Sequence, residues 1–344
     1  MKLLLVKLGA FGDIVHTLPA LTDALSAGHA VHWLVDARYR FVCDIFPPQV
    51  TVHAVQTKGE GRAAAIWRAV RKLRRECFDR AADLQGLLKS GAIGRAVCSE
   101  IYGFDRALSP ERGNALLLRP VAFHAEERHV VQQYRRIVAG MLSGDTAPPA
   151  AALELLPPRV STLERFDGAA DAVMGKLGLR RKGFVLLHLG GGWQTKQLPE
   201  ATWRAVAAGI GERGLTPLFG WGSESERQQA ARLASECDAL TLPERLAMPA
   251  LCDLLPQARA VVGADTGLLH LAAALAAPTL TFWGPSASWR SGPPTTSPDY
   301  SEGERHWHIE SNPACGPCFK RSCSEFVCMQ QVTAAQFLSA LDRV

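Results

Sequence analysis

The run AVVGADTGLLHLAAALAAPTLTFWGPS, from Ala260 to Ser286, limits what this chain can fold into more tightly than any other stretch. Its apolar opening, Ala260 to Val262, predicts a buried strand. Asp265 and Thr266 offer helix N-cap chemistry, and Leu268, Leu271, Ala272 and Leu275 then recur at helical spacing. Pro278 stops that helix. A second β-rich run, Thr279 to Trp283, follows before the Gly284-Pro285 turn, so the stretch reads as strand-helix-strand, the building block of a parallel sheet. In such a unit the helix start lies at the carboxyl edge of the sheet, where its unpaired N–H groups and partial positive charge suit a diphosphate. Gly267 would let a ligand approach the backbone closely. An Asp-Thr-Gly triplet before a helix is often only a cap, so the weight falls on its surroundings.

The same rhythm runs along the chain. Leu3 to Val6 predicts a first strand, followed by a loop from Lys7 to Asp13 that holds Gly9 and Gly12, and a helix near Leu18 to Ser26. No GxGxxG pattern is present, which argues against a nicotinamide dinucleotide. Val31 to Val35, Val50 to Val55 and Ala81 to Leu84 predict further strands, and Leu87 to Val97 and Val130 to Leu142 predict helices. A Pro- and Ala-rich segment between about 143 and 160 reads as a linker. Beyond it, strands at Phe184 to Leu189 and Thr216 to Phe219 end in the glycine loops Gly190 to Gly192 and Gly220 to Gly222. A helix opens at Pro199 with Trp203 on its inner face, and another runs from Ser225 to Cys237. At 344 residues the chain exceeds what one core fills. The expected fold class is α/β of the GT-B kind: two Rossmann-like domains, residues 1–155 and 156–330, facing across a central cleft, with a closing helix over 331–344 behind a Thr333-x-x-Gln336 capping box.

With 47% hydrophobic and 21% charged residues the composition is that of an ordinary globular protein, and the longest apolar run is too short for a bilayer. The start, MKLLLVKLGAFGD, meets Gly and Asp too early for an export signal, which predicts a cytoplasmic location. The formal net charge is only +5, but eight basic residues against three acidic ones lie between Lys58 and Arg80. Such a stripe attracts phosphates, acidic sugars or an anionic leaflet, and it is equally what a solvated helix face looks like. Ile66, Val70 and Leu73 would be its buried side. Trp67 is the one ring in its basic core, so base stacking has little support and nucleic acid is not an expected partner.

Taken together, VKLGAFGDIVHTLPAL, DLQGLLKS, HLGGGWQTKQLP and VVGADTGLLHLAAAL with PTLTFWGP, in that order from the first strand to Pro285, resemble the bacterial ADP-heptose:lipopolysaccharide heptosyltransferases. The start and DLQGLLKS are most similar to the heptosyltransferase I branch. The resemblance implies an inverting transfer of heptose from ADP-L-glycero-D-manno-heptose to the Kdo/inner-core region of lipopolysaccharide. It implies no cofactor or metal in catalysis, a Kdo-lipid A type acceptor, and peripheral contact with the inner leaflet. It makes Asp13 the general base for the acceptor hydroxyl, the alternative being a helix cap. It places Gly191, Gly192, Lys196, Asp265, Thr266 and Gly267 at the donor, with His270 one helical turn on. Glu224 or Glu226, the pattern not deciding which, would accept from the ribose hydroxyls. Gly12, Arg62, Lys89 and Arg128 would serve the acceptor's carboxylates and phosphates. The lack of an Asp-x-Asp pair agrees with metal-free transfer. A later core sugar or a protein as acceptor, and a non-catalytic nucleotide- or nucleic-acid-binding module, are the alternatives.

Cys315-x2-Cys318-x4-Cys323-x4-Cys328 lies outside the heptosyltransferase I pattern. Four thiols within 14 residues predict a structural Zn²⁺ or iron site. Two disulfides, which a reducing cytoplasm disfavours, or free thiols are the alternatives.

Overall fold

The computed structural model describes residues 1–294 and 305–344, and the chain divides into two compact units, Met1–Ser161 and Thr162–Val344. The first holds six parallel strands: β1 (Lys2–Val6), β2 (Ala30–Asp36), β3 (Thr51–Val55), β4 (Arg80–Asp83), β5 (Ile101–Phe104) and β6 (Arg119–Val121), in the order β3-β2-β1-β4-β5-β6. Leu3 to Val6 are all fully buried, because a central parallel strand is covered on both faces and so reads as a continuous apolar run. Helices α1 (Phe11–His16), α2 (Leu18–Ser26), α3 (Arg62–Arg74), α4 (Leu88–Val97) and α5 (Val130–Ser143) accompany the sheet. On α3 only Leu73 of the anticipated apolar side is fully buried, with Ile66 and Val70 packed partly against the same core. Its outer side presents Arg62, Arg68, Arg71, Lys72 and Arg74, with the Arg71 guanidinium 4.7 Å from the exposed Trp67 ring.

The second unit repeats this topology. After α6 (Asp171–Leu177) come β7 (Phe184–His188), α7 (Glu200–Glu212), β8 (Thr216–Gly220), α8 (Glu224–Glu236), β9 (Leu240–Thr241), α9 (Met248–Gln257), β10 (Ala260–Ala264), α10 (Gly267–Ala274), β11 (Thr279–Trp283), α11 (Ser288–Ser291), β12 (His306–Glu310), α12 (Val327–Gln330) and α13 (Ala334–Leu341). Its parallel strands run in the order β12-β11-β10-β7-β8-β9. The first and fourth strands are therefore neighbours in each sheet, β1 beside β4 and β7 beside β10. There the order of strand addition reverses, and the crevice beyond the carboxyl ends of such a strand pair is where open α/β sheets bind ligands.

The core of this unit is aromatic. Trp203 of α7 meets Phe282 of β11 edge to face at 6.0 Å, and Phe282 meets Phe337 of α13 at 5.9 Å. Gly209 is what lets α13 lie against α7, since a Cβ there would come within 2.3 Å of Leu338. The capping box closes as expected, the Thr333 N–H donating to Gln336 Oε1 at 2.8 Å. Among the described residues no helix is long and apolar enough to cross a membrane.

Candidate active site

At the first switch point the loop after β1 is not open: α1 begins at Phe11, and Asp13 lies in its first turn. Gly9 is needed there because the Tyr39 ring sits 2.5 Å from where a Cβ would be. The Gly9 N–H donates to Gln85 Oε1 at 3.0 Å, tying this loop to the one after β4. Lys7, buried at the end of β1, reinforces the tie by donating to the Leu84 carbonyl at 2.9 Å and to the Tyr134 hydroxyl at 2.8 Å. Its ammonium also lies 3.5 Å from Asp13 Oδ2. Burial alone would favour the neutral amine, but Asp13, Tyr134 and Asp83 outweigh it and raise the Lys7 pKa. Asp13 accepts from the Ala10 N–H at 3.3 Å, as a cap would, yet its side chain is 42% exposed and so reachable by a substrate. Beneath the β4 loop, buried Asp83 accepts from the Gln85 and Gly86 amides, Ser90 and Asn114, which shapes the DLQGLLKS segment.

The second switch point is built alike. Lys196 reaches over from the loop after β7 and donates to the Asp265 carbonyl at 2.8 Å and to its Oδ2 at 2.7 Å. His270 Nε2 holds the other carboxylate oxygen at 2.8 Å. Burial pushes the Asp265 pKa up, but His270 and Lys196 more than reverse this and hold it well below the ordinary range. Asp265 is thus committed to these two side chains, and the N-cap Thr266 makes no side-chain cap bond. The first amides of α10 therefore lack a side-chain acceptor from the cap residue. Among the described residues Thr266 Oγ1, His188 Nδ1 and Ser286 Oγ are buried without a hydrogen-bond partner, after or at the ends of β10, β7 and β11. Gly191 gives room for the return of the loop, since a Cβ would meet Lys196 at 3.1 Å, and Gly192 takes a left-handed φ of 65°.

The two glutamates at the start of α8 separate. Glu224 is 63% exposed and bound to Arg227 at 2.6 Å along the helix surface. Glu226 turns back to accept from the Gly222 and Ser223 amides at 2.7 and 3.1 Å, beside Gly190 and His188. His188, half-buried at the end of β7, is held down at about 4 by desolvation of its ring, which the nearby Glu226 opposes. On the other unit, Lys89 donates to Thr57 at 2.9 Å, and Thr57 in turn binds Asp36. Lys89 thus belongs to a network at the end of β3, not to the Lys7–Asp13 contact. Arg62 is exposed at the start of α3, and Arg128 is exposed just ahead of α5. Gly12 lies in α1 next to Asp13. Lys7, Tyr134 and His188 were not anticipated from the sequence. A lysine directly after the four apolar residues of a central strand was the available signal for the first.

The metal expectation finds no support among the described residues. All nine cysteines carry free thiols, and among the described residues no three His, Cys, Asp or Glu side chains come together in a way that could hold a metal ion. Cys315 and Cys323 are exposed. Cys323 Sγ accepts from the Phe326 amide at 3.4 Å, and amides from Phe326 and Glu325 lower its pKa. Cys328 instead packs inward beside Gly284, where burial raises its pKa. Cys318 and Cys315 lie near enough to Cys328 to push its pKa up further.

Paired Rossmann-like units of this topology are the GT-B architecture of nucleotide-sugar glycosyltransferases. Residues 66–327 match glycosyltransferase family 9 (heptosyltransferase). Lipopolysaccharide heptosyltransferase 1 of Pseudomonas aeruginosa is 34% identical over 338 residues, covering 94% of this chain and 88% of that protein. The enzyme of the same name from Escherichia coli K12 is 28% identical, over 83% of this chain and 88% of its own length. A solved structure of E. coli heptosyltransferase WaaC with ADP superposes with a TM-score of 0.76 at 23% identity, covering 99% of this chain and all of that one. The chain belongs to glycosyltransferase family 9, the heptosyltransferases, and is a glycosyltransferase of α/β GT-B fold.

Proposed function

We propose that this chain moves heptose from ADP-L-glycero-D-manno-heptose to the Kdo/inner-core region of lipopolysaccharide with inversion and without a catalytic metal. The amino-terminal unit supplies the base, and the carboxy-terminal unit the donor site. The observation that carries the reading is the Lys196–Asp265–His270 cluster at the start of α10, supported by the names of the relatives. As ADP departs, negative charge grows on the diphosphate. A lysine and helix N-terminal amides at Gly267 are suited to that charge, and Asp265, fixed on two sides, is suited to sugar hydroxyls. Glu226, not Glu224, is the ribose acceptor in this reading, since it faces the strand ends. Asp13, exposed and steadied by Lys7, takes the acceptor proton as the oxygen attacks the anomeric carbon. Arg62, Lys89, Arg128 and the outer side of α3 are suited to acidic sugars and lipid phosphates, with the enzyme lying on the cytoplasmic leaflet.

Asp13→Asn tests the chemistry. ADP affinity, measured by calorimetry, should be kept while turnover falls by about 10²–10⁴. Turnover close to wild type would remove Asp13 from the mechanism. Rates on Kdo-lipid A against a heptose-extended acceptor decide which sugar is the substrate, and EDTA-treated enzyme of undiminished rate would support metal-free transfer.

A further inference from the structure

The cysteine-rich segment after β12 folds back onto the loop that carries Lys196. Thr195 Oγ1 donates to the Lys320 carbonyl at 2.7 Å, and the Phe319 N–H donates to the Pro285 carbonyl at 2.8 Å. Phe319 is in turn capped by Arg290, whose guanidinium lies 5.4 Å from its ring. These contacts seat Arg321 beside Trp193. Its guanidinium lies 5.3 Å from the indole centroid, and the Lys196 ammonium lies 4.4 Å from the same centroid. Two cations therefore share one aromatic ring in the donor loop.

Charge accounting gives the arrangement its meaning. Lys196 is nearly buried and already paired with Asp265, so much of its charge is compensated within the protein. A diphosphate brings more negative charge than this pair and a helix start can balance. Arg321 is exposed and, among the described residues, forms no ion pair with a carboxylate, so its charge is uncommitted. Its planar fork also matches two phosphate oxygens in a way an ammonium does not.

We infer that Arg321, carried in by the cysteine-rich arm and steadied on Trp193, is a second donor-phosphate cation. The inference rests on the donor-site reading above, and titrations with ADP and with adenosine separate the two. Arg321→Ala should raise the ADP Kd and the donor KM about tenfold, as expected for losing a partly exposed charged hydrogen bond. Adenosine affinity should not change, and Arg321→Lys should recover part of the loss. Wild-type ADP affinity in Arg321→Ala alongside weakened ADP binding in Lys196→Met would overturn the inference and leave the donor site standing. Equal losses for ADP and adenosine would also overturn it, because the arm would then only prop the loop. Wild-type ADP affinity in both variants would remove the donor-site reading itself.

Discussion

Replacing Lys196 by Met keeps the length and apolar stem of the side chain and removes only its ammonium. Asp265 would then stay in place, 11% exposed, without its contact at 2.7 Å, and its carbonyl would lose a donor at 2.8 Å. Removing one partner from a buried pair costs about 3–5 kcal/mol, and because His270 still holds one oxygen the lower end, about 3 kcal/mol, applies. The double variant Lys196→Met with Asp265→Asn removes the stranded charge and should regain about 1–2 kcal/mol of that loss. The assay is urea unfolding at neutral pH followed by tryptophan fluorescence, since six of the eight tryptophans belong to the carboxy-terminal unit. Acidity gives an independent check. The Asp265 pKa is lowered in the folded chain, so its stabilisation is present above the ordinary carboxylate range and is lost as pH falls through the depressed value. In Lys196→Met the carboxyl protonates more readily, so the gap between variant and wild type should narrow in acid. A cost below about 1 kcal/mol, or a double variant no more stable than the single one, would refute the claim that this pair is mutually dependent.

Two further outcomes follow from the geometry. Glu226→Gln should weaken ADP binding, whereas Glu224→Gln, altering a carboxylate bound to Arg227 on the helix surface, should not; the reverse order would move the ribose contact to Glu224. In the amino-terminal unit burial, His32 and Lys72 hold the His53 imidazole at about 4, so the unfolded chain takes up a proton at a pH where the folded unit does not. Stability of that unit should fall as pH drops from about 6.5 towards 4, read by hydrogen exchange in β2 and β3. His53→Gln should blunt this fall, and an unchanged acid loss would show that other groups cause it.

What could be read before the structure was whatever depends on local pattern. The strand, helix and strand between Ala260 and Trp283 lie where apolar spacing and Pro278 put them, because each signal comes from residues a few positions apart. β12 was not foreseen: His306 to Glu310 alternates polar and apolar side chains at a sheet edge and gives no continuous run. Neither was α1, a six-residue helix too short for a periodic signal. The different directions in which Glu224 and Glu226 leave the first turn of α8 were not legible either. Lys7 meets Tyr134 across 127 residues, a contact no spacing rule contains. For the cysteines, closeness along the chain was visible, whereas the backbone amides at Cys323 and the packing of Cys328 beside Gly284 were not.

The contact between Thr195 and Lys320 also orders events during synthesis. The twelve described strands have left the ribosome once Glu310 has emerged, so both sheets can form while the loop bearing Lys196 still lacks its contact with Lys320. A chain ending there would keep every described strand and lose the Lys320 carbonyl that holds Thr195, the neighbour of Lys196. If that loop holds the donor as proposed, its last tie comes from a stretch that belongs to neither sheet.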